Sequence, residues 1–423
     1  MTRIFLSISF IITTGIFSSI CGQQITREMI SDANVKSVKL HRAEWNLSYP
    51  VIKLGSDDEM VLHFDILDDE VETYYYTFIH CDKDWNVSDI YQTDYLDGFA
   101  ENPVDNWALS FNTTVNYVHY WIRFPNQNIN FRYSGNYIIK IFPFGEADKP
   151  IIVKRFMVSE KRANIEVQPQ RPKLTEFYDT HQQVDLSVKY PGMDIRDPFR
   201  TMFVSILQNG RWENARQNLK ADFIGNNELI INDLSGKNIF EGLSEFRYFD
   251  IKSLRYQTEY IRSIDYRLGS YHVYLLPSDN RSYRQYFYWQ DQNGKYYTAV
   301  QEGRDNETES DYVYVYFTLP ADFPVREGEV YIYGDLTGWM LSSDNRMTYN
   351  YEDHAYECTL LLKQGWYNYL YAVAGKDSRI SFEQFEGNHF ETENDYLILV
   401  YLREPMERYD RLIGNVVSNT LNK

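Results

Sequence analysis

Cysteine is scarce: three occur in 423 residues, too few for the dense disulfide framework of small secreted scaffolds. After the first 22 residues no apolar run approaches the roughly 20 residues of a membrane helix, which argues against direct membrane insertion. Heptads and long helical periods are lacking too. Also missing are the Gly-x-Ser-x-Gly elbow, the His-Glu-x-x-His pair, the phosphate-binding loop and the dinucleotide fingerprint. These gaps predict a chain that is not an enzyme and carries no cofactor.

What the chain has in quantity is aromatic side chains, 17% of the total, with 37 Tyr against 21 Gly and 13 Pro. Such a composition favours pleated strands over helices. A formal charge of −18 sets up a negative field that opposes binding to nucleic acid and to anionic lipid. Arg3 followed by the apolar run 4–20 reads as a signal peptide spanning 1–22, so the chain is expected to be exported. Cys21 raises the possibility of a lipid anchor, but Ile20 stands where lipidation needs a small residue, which favours cleavage without lipid. Cys81 and Cys358, in separate predicted domains, read as lone buried thiols.

Strand signals run along the whole chain. Residues 74–79 are all aromatic or β-branched, which predicts a central strand bulky on both faces. Met60, Leu62, Phe64 and Ile66 alternate with Val61, His63 and Asp65, the period of a half-buried strand. Asn209-Gly210 and Asn293-Gly294 predict hairpins. The fold expected is all-β, a tandem of immunoglobulin-like or early-set β-sandwich domains: 23–160, 161–277, and 278–423, the last a hairpin plus an early-set domain. The hairpin at 278–300 fits either of the last two domains. Residues 87–111 follow no strand or helix period and are expected to form a long loop suited to interaction. The tail after Arg411 reads as poorly tied down.

Candidate chemistry is sparse. His80, Cys81 and Asp82 are neighbours on a strand and cannot all face one metal, since successive side chains point to opposite sides. The acidic runs 68–70 and 307–311 lack the oxygen spacing of a calcium loop. Tyr312, Tyr314 and Tyr316, with Trp339, Trp366, Tyr367 and Tyr369, suggest either ordinary core and surface rings or a platform for sugars. Gly334-Asp335 to Trp339, followed by Gly365-Trp366-Tyr367, resembles early-set domains, some of them fused to enzymes acting on glucans. A periplasmic or surface glycan-binding protein is therefore the alternative reading.

Several motifs in order carry a wider resemblance: Tyr76-Thr77-Phe78-Ile79-His80-Cys81-Asp82-Lys83-Asp84-Trp85, Tyr95-Leu96-Asp97-Gly98-Phe99, Ser110-Phe111-Asn112-Thr113, Ser134-Gly135-Asn136-Tyr137 and Arg408-Tyr409-Asp410-Arg411-Leu412-Ile413-Gly414. Together they resemble the plug protein family of the type IX secretion system of Bacteroidetes. The resemblance implies a non-enzymatic periplasmic protein, monomeric on its own, at the inner side of the outer membrane. Its implied partner is the large outer-membrane β-barrel translocon, whose periplasmic opening it would seal. The signature residues His80, Cys81, Asp82, Trp85, Gly98, Asn112, Ser134, Gly135 and Tyr137 are expected to be structural. Tyr91, Tyr95, Phe99 and Trp107, in the loop, are the residues expected to face the partner.

Overall fold

Alternation sets the faces of the strand Met60–Ile66: Met60, Leu62, Phe64 and Ile66 enter a core shared with Phe78, Tyr120, Ile139 and Phe156. The computed structural model describes residues 26–375 and 379–421. The expected signal segment and Cys21 lie outside them. Among the described residues nearly all regular structure is β, as expected, built into three two-sheet sandwiches.

In the first sandwich, one sheet runs Met29–Ile30, Ile152–Ser159, Gly135–Pro143, Tyr74–Cys81 and Asn102–Pro103, with Val51–Lys53 also beside Ile152–Ser159. It faces a second sheet of Val35–Arg42, Met60–Ile66, Val118–Phe124 and Asn106–Leu109. Tyr74, Tyr76 and Phe78 point into the core between them. The opposite face is less bulky than expected but equally committed, because Ile79 and Cys81 pack against the second sandwich.

The second sandwich is assembled from distant parts of the chain. Met202–Gln208 lies antiparallel to Asp395–Leu402, with Ile206 opposite Ile398, and Arg411–Asn419 follows on the outside. Tyr396, Ile398, Val400 and Leu402 share a core with Val184, Leu186, Val204 and Ile206. The third sandwich is thus inserted into the second, and the expected division at 277/278 does not follow the sheets. Arg247–Asp250 pairs with Gly365–Ala374, and Ser270–Leu275 runs parallel to Tyr312–Pro320. An alternating strand reads the same whichever sheet receives it, so local pattern could not place these segments. The tail after Arg411 is a full strand, not a loose end.

The two Asn-Gly turns form with positive φ at both residues, but neither closes the short hairpin expected. The return strand after Gly210 begins only at Arg216. Residues 286–289 form no strand, because Trp289 Nε1 donates to the Phe246 carbonyl and Tyr286 donates to Glu245. Tyr296–Thr298 joins the third sandwich.

The sandwiches are docked, not strung out. An apolar layer of Val51, Cys81, Trp85 and Ile138 against Leu397, Leu399, Tyr401 and Leu412 joins the first to the second. All three meet at Lys295, whose Nζ sits 3.8 Å from the centre of the Tyr49 ring and 3.5 Å from Asp395, which also accepts from the Tyr49 hydroxyl at 2.9 Å.

Candidate functional site

Six of the signature residues, His80, Cys81, Asp82, Trp85, Ser134 and Gly135, gather where the first sandwich meets the second. His80 is buried, its ring bridging the Ser88 hydroxyl at 2.8 Å and the Ser134 carbonyl at 3.1 Å, and burial pushes it down to about 4. Asp82 accepts from the backbone of Asp84 and Asn86 and so folds the turn. Beyond that turn Trp85, at φ 67°, packs edge-on against Trp212 of the second sandwich with Arg155 over its ring. Cys81 lies in the same layer, and burial raises its thiol to about 12, which leaves no thiolate for nucleophilic chemistry.

Ser134 donates to Glu160, which holds Arg411 through two bonds of 2.8 Å. Gly135 has φ 141°, and a Cβ there would stand 2.6 Å from the His80 ring and 3.0 Å from the Asp410 carbonyl. Tyr137 is a core ring. Gly98 packs so closely on the Asn128 carbonyl that a Cβ would be 2.0 Å from it, and Asn112 holds a positive φ. These positions do structural work, much of it at an interface between sandwiches that no local motif announces.

Residues 87–111 are not an irregular loop. They contain a short helix, Gln92–Tyr95, and the strands Leu96–Gly98, Asn102–Pro103 and Asn106–Leu109, the last two lying at the edges of the two sheets of the first sandwich. Tyr95 is not available to a partner: it is buried in the core and its hydroxyl donates to the Phe78 carbonyl. Tyr91 and Phe99 are each 73% exposed, Trp107 45%, and Leu109 and Phe111 are exposed beside them in sequence. Asn106–Leu109 ends its sheet, with no strand on its other side among the described residues. This edge is the candidate contact surface.

A second site was not legible in the sequence. The polar face of Met60–Ile66, expected to meet water, is covered by the third sandwich. Asp65 is buried there and accepts from His119 Nδ1 at 2.6 Å, the Tyr312 hydroxyl at 2.6 Å and Lys363 Nζ at 2.7 Å. Burial alone raises a carboxyl, but Lys363 and the bond from His119 hold Asp65 below its ordinary value. His63 stacks between His41 and His119 and, through burial and its imidazole neighbours, is lowered to about 3. Lys39 reaches the Tyr296 carbonyl and Asp335 of the third sandwich, and burial lowers it to about 8. A pocket of about 30 Å³ lies among these groups.

Of the rings considered as a sugar platform, Tyr314 is exposed, and the others are stacked on neighbours or buried. Tyr274 and Tyr316 stack face to face at 4.4 Å, with His272 stacked on Tyr316 and on Tyr314 in turn. Trp366 is stacked between Tyr248 and Tyr297, and Trp339 packs on Tyr333, Phe246 and Gly294. Tyr367 and Tyr369 are core residues. Sugar stacking needs an open ring face, and neither Trp offers one.

Comparison with known proteins adds two findings. A family model described as the type 9 secretion system plug protein 1st domain matches residues 35–160, the first sandwich. A hypothetical protein from Parabacteroides merdae ATCC 43184, known from a crystal structure, is 31% identical and superposes with a TM-score of 0.89, over 93% of this chain and 98% of that one. No curated protein matches.

Proposed function

Because this chain belongs to the type 9 secretion system plug protein family, whose role lies in secretion, we propose that it acts in the periplasm as a non-enzymatic stopper. In this reading it binds the periplasmic opening of the large outer-membrane translocon barrel and seals it. A pore wide enough for folded cargo leaks unless a rigid body closes one end. Three sandwiches docked through an apolar layer and a buried ionic cluster supply such a body.

The observation that carries the reading is the free edge of the first sandwich. Its two sheets are covered on their outer faces by the second and third sandwiches. The edge strand Asn106–Leu109 carries the exposed Trp107 and Leu109, with the exposed ring of Phe99 ahead of it and that of Phe111 beyond it, where the backbone turns to bond Thr308 of the third sandwich. Unpaired strand edges and exposed aromatics are what a partner's backbone and apolar pockets engage.

Affinity purification of the tagged full chain from gently solubilised envelopes tests this. The expected result is a very large outer-membrane barrel in near-stoichiometric yield, reduced at least tenfold by Trp107→Ser with Phe99→Ser. Recovery of the chain alone would remove the reading.

A further inference from the structure

We propose that His63, His119 and Glu307 form a binding site for a divalent transition metal of the zinc class, which ties the first sandwich to the third. His63 Nδ1 and His119 Nε2 are 3.1 Å apart, His119 Nε2 and Glu307 Oε2 are 3.7 Å apart, and all three ligand atoms lie within 4.8 Å of one another. Zinc bonded to nitrogen and oxygen at about 2.0–2.1 Å in a tetrahedron sets its ligand atoms roughly 3.3 Å from each other. Two sides of the observed triangle, 3.1 and 3.7 Å, are close to that spacing, and the third, within 4.8 Å, closes by movement of the partly exposed Glu307 side chain. Two histidines and one carboxylate leave a fourth position for water.

The surroundings are built as a metal site requires. Asp65 accepts the Nδ1 proton of His119 at 2.6 Å, which fixes the tautomer with the Nε2 lone pair facing His63 and Glu307. Asp65 is itself held by Tyr312 and Lys363. Glu307, although on a connecting segment, is pinned by its backbone: its carbonyl accepts from the Tyr117 hydroxyl at 3.0 Å and from Lys363 at 2.6 Å. The adjoining pocket of about 30 Å³ has room for an ion or a water.

Charge balance also fits. Among the described residues Lys363 pairs with Asp65, Lys39 pairs with Asp335 while also feeling the Glu307 charge, and the ion pair of the Glu307 carboxylate is with the His119 imidazole. Because the histidines come from one sandwich and the carboxylate from another, a bound ion bridges the two bodies directly.

The test uses the full chain stripped with a chelator and titrated separately with Zn²⁺ and Co²⁺. One equivalent should bind, Co²⁺ should give the visible absorption of a tetrahedral site, and Zn²⁺ should raise the unfolding temperature. Glu307→Gln and His63→Gln should each weaken binding at least tenfold, whereas His272→Gln, outside the cluster, should not. Glu307 is partly exposed, so its variant keeps the test valid if a histidine variant fails to fold. Absence of stoichiometric binding by the wild type, or equal binding by wild type and Glu307→Gln, would overturn the proposal.

Discussion

Replacing Lys363 by Met probes the contact between the first and third sandwiches most sharply. Lys363 Nζ lies 2.7 Å from Asp65 Oδ2, with side-chain exposures of 1% and 0%. Removing one member of such a pair leaves a buried charge, which typically costs about 3–5 kcal/mol. Asp65 would still accept from His119 and Tyr312, so the lower end, about 3 kcal/mol, is expected for Lys363→Met. Asp65→Asn should cost a similar amount, since Lys363 then loses its carboxylate and keeps the neutral Glu307 carbonyl and the Tyr117 ring. The double variant should be less destabilised than the sum of the two by roughly 1–3 kcal/mol, the signature of direct coupling. Urea unfolding followed by circular dichroism gives the totals. Hydrogen exchange in Met60–Ile66 and Ala355–Lys363 locates the loss on both sides of the contact. Additive costs, or a Lys363→Met cost below about 0.5 kcal/mol, would refute the reasoning.

Other outcomes follow from the same contacts. Gly135→Ala forces a Cβ into the His80 ring from a φ of 141°, and should destabilise by roughly 2–4 kcal/mol in thermal or urea unfolding. The folded-state value of His80 is lowered by burial to about 4. The stability its neutral ring confers is therefore fully present above pH 6.5 and is lost as pH falls from 6.5 towards 4, by up to roughly 3 kcal/mol. His80→Gln should lessen the slope of that part of the stability profile, leaving the contribution of His63, which burial lowers to about 3. Tyr95→Ser should lower stability by about 3 kcal/mol through loss of a core ring, while Phe99→Ser should leave it within about 0.5 kcal/mol. Cys81, raised to about 12 by burial, should resist thiol reagents in the folded chain and react on denaturation.

The strands themselves were readable because each carries its own period. Met60–Ile66, Tyr74–Cys81 and Tyr312–Pro320 stand where their alternation or β-rich composition placed them. Their pairing was not readable. Nothing local to Asp395–Leu402 distinguishes a strand of the third sandwich from one that returns to Met202–Gln208. The same limit hid the polar cluster: His63 and His119 are 56 residues apart in sequence, and they meet only because Met60–Ile66 and Val118–Phe124 are adjacent strands. Glu307 arrives from a different sandwich altogether. The alternation that marked His63 and Asp65 as facing away from the core was right about direction, but a second protein surface stands there in place of water. Tyr95 was misplaced for a similar reason, because its neighbours in sequence are exposed while its ring turns into the core.

Closure of a large pore is the role proposed for this chain. The direct test is efflux from liposomes holding the purified translocon barrel and loaded with a fluorescent dextran of folded-protein size. Full-length chain added at the periplasmic face should stop efflux at about one chain per barrel, and the Trp107→Ser, Phe99→Ser variant should need at least tenfold more. Efflux unchanged by saturating wild-type chain would contradict the account.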